Sequence, residues 1–203
     1  CHHLMFDGTE WSDPTSTTGR ARFSVHDLTL SVGPTGTVYL SATIGPFTRT
    51  SYENDYIGYQ VWDGTKWSRF IRATNADTDV GYGQLTVDGW GTKHALWWET
   101  DTARLRYSTT RDQKISQPEE IASEGTNPII RADASGRVFM CWGDGAGDHL
   151  RVWNGEKWST TLQAEDLEGE IGLCVTDDGR AFLTSLYYGT VTIKEALVNE
   201  EDQ

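Results

Sequence analysis

Short segments in which apolar and polar residues alternate run along the whole chain, separated by glycine-containing turns. A period of two residues around a tight turn is typical of β-hairpins, and no segment has the 3.6-residue period of a helix. Four hairpins share one pattern: LTLSVGPTGTVYLSA (28–42), QLTVDGWGTKHALWW (84–98), PIIRADASGRVFMCW (128–142) and IGLCVTDDGRAFLTS (171–185).

These hairpins recur with a period near 45 residues. The turn glycines Gly36, Gly91, Gly136 and Gly179 are separated by 91−36 = 55, 136−91 = 45 and 179−136 = 43 residues. A second hairpin lies between copies of the first, as HLMFDGTEWS (3–12), YQVWDGTKWS (59–68) and LRVWNGEKWS (150–159). This second hairpin recurs with a similar period, which we read from the positions of Trp62, Tyr107 and Trp153.

Two hairpins per repeat predict four strands per repeat. This is the sequence signature of β-propeller blades, because each blade is one four-stranded sheet. We therefore predict an all-β fold, a β-propeller with about four blades, over a single domain, residues 1–203, or over a fragment of a propeller. Within it we interpret Asp63-Gly64 as turn chemistry, Trp11, Trp67 and Trp158 as packing between blades, and His94 as a core residue.

The first hairpin has no partner hairpin before it. Comparison of CHHLMFDGTEW with DHLRVWNGEKW indicates that Cys1 begins where an inner strand would have ended. Two interpretations stay open. The chain is a piece of a larger propeller, which we favour, or its first hairpin completes the last blade and closes the ring.

The charge balance bears on possible partners. Lys and Arg number 17 against 30 for Asp and Glu, a formal net charge of −13, and no run of five basic residues occurs. Nucleic acid is therefore an unlikely partner class, since phosphate binding depends on clustered cations. No apolar run reaches the roughly 20 residues of a membrane span. Three cysteines without CxxC spacing indicate neither a disulfide framework nor a zinc site, and we expect Cys141 and Cys174 to be buried thiols.

Functional residues are expected on the rim that carries the long connections, because loops vary more freely than strands. The connection IGPFTRTSYENDYIG (44–58) accounts for the ten extra residues of the first repeat step. It and its neighbours supply polar and aromatic candidates for substrate binding. Together with the inner-strand tryptophans, these candidates are His2, Arg49, Tyr52, Asp55, Tyr82, Trp97, Trp98 and Trp142.

A histidine, tyrosine and arginine set suits β-elimination of a uronate. Arginine neutralises the carboxylate, a base removes the adjacent proton, and tyrosine protonates the departing oxygen. The same residues could instead only hold a sugar. Glycoside hydrolysis needs two flanking carboxylates, for which Glu53 with Asp79, or Glu99 with Asp101, are weak candidates. Asp144 and Asp148 in GDGAGDH lack EF-hand spacing, so we predict no cofactor, and a structural Ca²⁺ is not indicated.

Several segments resemble a known family. LRYSTTRDQKISQP (104–117) resembles the strand and turn of bacterial-neuraminidase-repeat (BNR), sialidase-like propellers, and HDLTLSVGPTGTVYLSA (26–42) resembles the inner hairpin of repeat-containing polysaccharide lyases. CHHLMF is similar to the strand end at which those lyases carry a site histidine. The resemblance implies His3, or less securely His2, together with Tyr56 or Tyr52 and Arg72. A complete SxDxGxTW motif and the three arginines of a sialidase are missing.

The sequence thus predicts a carbohydrate-active propeller, secreted or periplasmic, that degrades a polysaccharide as a uronate lyase or a glycoside hydrolase. The predicted catalytic residues are His3, His26, Tyr56 and Arg72. The partner would be a polysaccharide or oligosaccharide. One alternative is a propeller lectin that holds sugars by Trp97, Trp98 and Trp142, and a protein-interaction scaffold is another, because fold does not fix function.

Overall fold

The computed structural model describes most of the chain as antiparallel β-sheet. It describes residues 2–4, 8–16, 23–46, 55–75, 79–164, 170–176 and 178–196. The strands are β1 (His2–His3), β2 (Thr15–Ser16), β3 (Phe23–Val32), β4 (Val38–Pro46), β5 (Tyr56–Trp62), β6 (Ile71–Arg72), β7 (Val80–Val87), β8 (Lys93–Glu99), β9 (Leu105–Arg111), β10 (Lys114–Ile115), β11 (Glu119–Ala122), β12 (Thr126–Ala132), β13 (Val138–Asp144), β14 (Gly147–Trp153), β15 (Leu162–Ala164), β16 (Glu170–Val175), β17 (Ala181–Tyr187) and β18 (Thr190–Ala196).

The strands form successive blades, as the repeat predicts. Blade I is β3-β4-β5-β6, blade II is β7-β8-β9-β10 with β11 also paired to β9, blade III is β12-β13-β14-β15, and blade IV is β16-β17-β18. The predicted all-β propeller of about four blades is confirmed. One short 3-10 turn, Pro34–Gly36, lies in the first inner hairpin. Within the described part of the chain, no helix is long and apolar enough to cross a membrane.

The outer hairpins keep their sequence chemistry in three dimensions. The Asp63 carboxylate accepts hydrogen bonds from the backbone N–H groups of Thr65 and Lys66, both at 2.8 Å. In blade III, the side-chain oxygen of Asn154 accepts equivalent hydrogen bonds from the backbone N–H groups of Glu156 and Lys157, at 2.9 and 3.0 Å. Of the two turn residues only Gly64 has a positive φ, at +97°. The backbone also closes the turn, since the Asp63 N–H donates to the Lys66 carbonyl at 3.1 Å.

Apolar clusters between neighbouring blades form the core. One joins blades I and II around Ile57, Leu85 and Trp97, the next joins blades II and III around Leu96 and Trp142, and the third joins blades III and IV. Removal of this surface from water stabilises each blade against the next. The predicted packing between blades is confirmed for Trp158, since its ring meets Tyr107 of blade II edge-on at a centroid distance of 5.1 Å. It is not observed for Trp11, which is 66% exposed.

The strand register corrects one alignment made from the sequence. Val38 pairs with Trp62 and Val138 with Trp153, and Lys93, which occupies the same place in blade II, pairs with Thr110. Thr110 is thus the equivalent of the two tryptophans. Tyr107 lies three residues earlier, where its side chain points between blades II and III instead of toward the hairpin turn.

The two ends of the array differ from its middle. β1 and β2 pair as their own sheet, with His2 opposite Ser16, the same fourteen-residue span that joins Gly58 to Arg72. The first hairpin therefore resembles an outer hairpin, as predicted.

In blade IV, Cys174 is exposed. Our expectation of a buried thiol is wrong there, whereas Cys141 in blade III is buried as expected.

Candidate functional site

All four blades contribute to a cavity at the centre of the array. Its volume is about 320 Å³, within the range of small-molecule sites. It lies where the innermost strands begin, on the rim of the long connections and away from the short inner turns. We call it the axial pocket. Its lining residues are Asp27, Leu28, Tyr82, Gln84, Asn127, Pro128, Ile129 and Ile171.

A left-handed residue at the start of an innermost strand occurs once in each of the first three blades. Asp27, Tyr82 and Asn127 have φ values of 53°, 48° and 49°. Each stands at a break in the register between the first two strands of its blade. Asp and Asn tolerate this conformation, but for Tyr it is strained. Strain of this kind concentrates at functional sites, and here all three residues line the axial pocket.

A group of polar side chains at the wall of the pocket is built around His26. Its Nδ1 lies 2.8 Å from Oδ2 of Asp27, and its Nε2 lies 3.5 Å from Oδ2 of Asp55. Asp55 is completely buried, whereas the His26 and Asp27 side chains are part-exposed. One imidazole thus bridges a buried carboxylate and a carboxylate at the pocket wall. Of the predicted residues, His26, Asp55 and Tyr82 come together in this region.

The sequence carries a signal for these positions that motif reading missed. Asp27, Tyr82 and Asn127 each lie nine residues before the turn glycine of their hairpin, since 36−27, 91−82 and 136−127 all equal 9. The same count from Gly179 gives Glu170, the first residue of β16, whose backbone pairs with Leu186. A search of the repeat for polar residues in one register would have found Asp27, Asn127 and Glu170.

Two predicted catalytic residues lie on the other face of blade I. His26 pairs with Thr43, and Thr43 pairs with Ile57, which packs toward blade II. Tyr56 is the neighbour of Ile57 along the strand, so its side chain points the opposite way. The guanidinium of Arg72 lies 4.0 Å from the Tyr56 ring centroid. Blade I therefore separates His26 from the Tyr56–Arg72 pair.

The remaining predicted residues are placed as follows. His2 and His3 form β1 opposite Ser16 and Thr15, and Arg49 and Tyr52 lie outside the described residues. Trp97 and Trp142 are buried in the inter-blade clusters, with 0% and 2% of their surface exposed. Neither ring presents a face to a ligand in this arrangement. Trp98 is half-buried, and its ring lies 6.1 Å from that of Tyr82 beside the axial pocket.

Asp144 and Asp148 of GDGAGDH flank a tight turn, Asp144 as the last residue of β13 and Asp148 near the start of β14. Asp144 accepts a hydrogen bond from the Ala146 backbone and lies 2.8 Å from Nε2 of His149. The hydrogen bond from His149 lowers the pKa of the Asp144 carboxyl. Among the residues that the structure describes, no group of three or more His, Cys, Asp or Glu side chains is placed to hold a metal ion.

A second polar constellation lies at the opposite rim, and the sequence reading missed it. Nε2 of His94 lies 3.1 Å from Oδ2 of Asp88, and Nδ1 lies 2.7 Å from the hydroxyl of Tyr107. His94 is buried, as predicted for a core residue. Its sequence alignment with Tyr39, Phe139 and Phe182 gave no hint of two polar partners, because Asp88 and Tyr107 come from other strands and turns.

The fold is shared with solved β-propeller structures, one of which is a carbohydrate enzyme. A GH43 β-1,3-galactosidase in complex with galactodeoxynojirimycin matches with a TM-score of 0.59 at 10% identity, covering 95% of this chain and 77% of the other. A protein of unknown function from Dyadobacter fermentans matches with a TM-score of 0.58 at 15% identity, over 87% of this chain and 66% of the other. Identities this low establish the propeller fold alone.

The other comparisons add little. A bifunctional GH43-CE protein of Bacteroides eggerthii matches with a TM-score of 0.42 at 16% identity, over 83% of this chain and 29% of the other, and we draw nothing from it. No protein-family model and no curated protein matches the sequence. The function of the protein is therefore inferred from the residues of this chain.

Proposed function

We propose that this propeller is carbohydrate-active and hydrolyses a glycosidic bond in the axial pocket. The observation that carries the proposal is the bridge from buried Asp55 through His26 to Asp27 at the pocket wall. Asp27 is thereby fixed through one oxygen, Oδ2. Its other oxygen, Oδ1, has no such contact with His26 and is available to act on a reactant.

The rest of the lining suits a sugar. Asn127 carries an amide that both donates and accepts hydrogen bonds, as sugar hydroxyls require. Gln84 adds an amide NH₂ donor, since its Oε1 accepts a hydrogen bond from Arg131. Tyr82 is 46% exposed, and its ring adjoins the indole of Trp98, which gives the pocket an aromatic edge beside its polar groups. Small-molecule sites commonly combine aromatic walls with a few placed polar groups.

Hydrolysis requires a second carboxylate, for which we propose Glu170. Glycoside hydrolysis uses one carboxylic acid to protonate the leaving oxygen and one carboxylate to act on water or on the anomeric carbon. Glu170 lies nine residues before the turn glycine of its hairpin, as Asp27 does in blade I, and its backbone pairs with Leu186. We assign Asp27 to the carboxylate role, because His26 occupies one of its oxygens, and Glu170 to the proton donor role.

β-Elimination of a uronate has less support. That reaction needs a cation beside the uronate carboxylate. None of the described residues that line the axial pocket is Arg or Lys, and the guanidinium of Arg131, which adjoins the lining residue Gln84, is already hydrogen-bonded to Gln84 Oε1 and to the Ile130 carbonyl. Arg72 lies against Tyr56 on the far face of blade I. The resemblance to BNR lyases therefore finds support in the architecture and not in this pocket.

The nature of the substrate also bears on location. A polymeric glycan does not cross a membrane, so a protein that degrades one acts outside the cytoplasm, and we propose a secreted or periplasmic location. The fold shared with a GH43 β-1,3-galactosidase supports a glycosidase without assigning the sugar. We propose a neutral glycan, because the chain carries a net charge of −13 and the described residues that line the pocket include no Arg or Lys.

Product analysis tests this proposal. The protein is incubated with arabinan, β-1,3-galactan, xylan and polygalacturonate, and both new reducing ends and the ultraviolet absorbance of unsaturated uronates are followed. We expect reducing ends from a neutral polymer without that absorbance, and a loss of about 10²–10⁴-fold in rate for Glu170→Gln. Absorbing products would indicate elimination instead, and binding without any product would indicate a lectin.

A further inference from the structure

A second cavity opens between blades II and III on the rim opposite the axial pocket. Its volume is about 470 Å³. Asp88 and Trp90 come from the inner turn of blade II, Gly136 comes from that of blade III, and Tyr107 comes from the third strand of blade II. Six residues of strand separate Tyr82 from Asp88, roughly 20 Å. We call this cavity the II–III crevice.

The crevice has a buried polar floor. Asp88, His94 and Tyr107 are each less than 7% exposed, and they form one hydrogen-bonded chain through the two nitrogens of His94. Burial opposes ionisation of Asp88, but the hydrogen bonds from His94 and from the Thr92 and Trp90 backbone outweigh it, so the pKa of Asp88 is lowered. Burial raises the pKa of Tyr107, which keeps its hydroxyl protonated.

This charge state decides what the floor offers a ligand. The ionised Asp88 carboxylate accepts the Nε2–H of His94, and Nδ1 of His94 shares a second hydrogen bond with the Tyr107 hydroxyl. Tyr107 lines the cavity, and one hydrogen bond to His94 leaves its hydroxyl group able to make another with a sugar hydroxyl, which both donates and accepts. The negative charge of Asp88 beside it disfavours a carboxylate ligand.

The crevice also has an aromatic wall. Trp90 is 61% exposed, and its ring lies against Gly136, where an added Cβ would come within 2.1 Å of a ring atom. One side of the indole is therefore set by the next blade, and the other remains open to solvent. Trp153 lies on the opposite side of the cavity and pairs with Trp158 at a centroid distance of 5.4 Å.

One substitution between repeats accounts for the open space. Between blades I and II, the residues equivalent to His94 and Tyr107 are Tyr39 and Tyr59. Nζ of Lys93 lies 5.5 and 5.9 Å from their ring centroids. Lys93 covers that pair. The residue at the same position of blade III is Val138, which is buried and too short to cover Tyr107. The crevice between blades II and III therefore stays open.

The remaining lining defines the ligand class. The charged side chains besides His94 are Asp88, Glu119 and Arg111, an excess of one negative charge, which disfavours an anionic ligand. Thr92, Thr109 and Gln117 add side chains that both donate and accept hydrogen bonds. We propose that the II–III crevice is a second carbohydrate-binding site, which takes a neutral sugar residue against Trp90 with its hydroxyl groups on Tyr107.

Calorimetry with defined probes tests the site. The probes are xylotetraose, β-1,3-galactobiose and laminaritetraose, with tetragalacturonate as the anionic comparator. Trp90→Ala removes the exposed wall, Tyr107→Phe removes only the hydroxyl, and Trp11→Ala is the matched control, since Trp11 is 66% exposed and lies outside the crevice. We expect at least one neutral probe to bind about tenfold more weakly or worse to the first two variants, and tetragalacturonate not to bind there.

Asp27→Asn separates this inference from the proposed hydrolysis. It should abolish turnover while it leaves crevice binding intact, and Trp90→Ala should leave hydrolysis of a small glycoside unchanged. Unchanged affinity of Trp90→Ala and Tyr107→Phe for every probe, or the absence of any probe that the wild type binds, would overturn the second site. Either result would leave the axial site standing.

Discussion

The carboxylate of Asp27 is held by the side chain of the residue before it, His26, whose Nδ1 lies 2.8 Å from Asp27 Oδ2. Adjacent residues in a regular strand point to opposite faces, so this contact depends on the left-handed backbone of Asp27, at φ 53°. The strained residue therefore brings together two groups that a regular strand would keep apart.

Two substitutions of His26 separate its two contacts. The amide of Asn reaches about as far as Nδ1, and that of Gln about as far as Nε2. His26→Asn should therefore keep the contact with Asp27, and His26→Gln should keep the one with Asp55. We expect kcat to fall about tenfold or more for Gln and less for Asn, because orientation of Asp27 limits the reaction. Equal losses in steady-state kinetics would show that His26 does not act through Asp27.

Acid should weaken the contribution of Asp88 to stability. Its pKa is lowered in the folded state, so the stabilisation is complete above the unfolded-state pKa of about 3.9 and is lost as the pH falls through the folded-state value. Urea unfolding of wild type and Asp88→Asn between pH 7 and pH 2.5 should show a difference in the free energy of unfolding that shrinks below about pH 4. A difference independent of pH would contradict this assignment.

Gly89 should tolerate no side chain. A Cβ there would lie 1.9 Å from the backbone oxygen of Ala134 in the next inner turn, so adjacent blades would have to separate. We expect Gly89→Ala to lower the free energy of unfolding by about 1–3 kcal/mol. Gly145→Ala is the control, since a Cβ there meets nothing within 4 Å, and it should change stability by less than about 0.5 kcal/mol. Equal stability of the two variants in urea would exclude this packing.

The thiols should differ sharply in reactivity. Burial raises the pKa of Cys141 to about 12, and Cys174 is exposed. In a Cys1→Ser background, Ellman's reagent should modify one thiol of the native protein rapidly and the second only after unfolding in guanidinium, because the thiolate is the reactive form. Two rapidly reacting thiols would show that blade III opens readily around Cys141.

The repeat made the fold predictable because the packing between blades uses the same positions in every copy. Gly36, Gly91, Gly136 and Gly179 mark four inner turns that all form. Tyr107 was aligned with Trp62 and Trp153 because it is aromatic and lies near the expected repeat spacing. The residue that is equivalent to those tryptophans is Thr110. Apolar periodicity does not resolve a shift of three residues in one strand when the neighbouring residues are also strand formers.

The site was less predictable than the fold. His26 and Asp55 are 29 residues apart in the chain, 55−26, and their contact depends on strand register, which no motif encodes. Tyr56 and Arg72 were correctly expected near each other, but side-chain alternation places them across blade I from His26. The amino-acid composition also does not predict the left-handed backbone conformation of Asp27. Only the count of nine residues back from each turn glycine carries that information.

The most direct test of hydrolysis at the axial pocket compares two Asp→Asn variants on the neutral polymer that the wild type cleaves. Asp27 lines the pocket, and Asp101 is an exposed residue outside its lining. Initial rates of reducing-end release should fall about 10²–10⁴-fold for Asp27→Asn and stay at the wild-type value for Asp101→Asn, with both variants folded by circular dichroism. Wild-type rates for folded Asp27→Asn would contradict the assignment of the axial pocket as the active site.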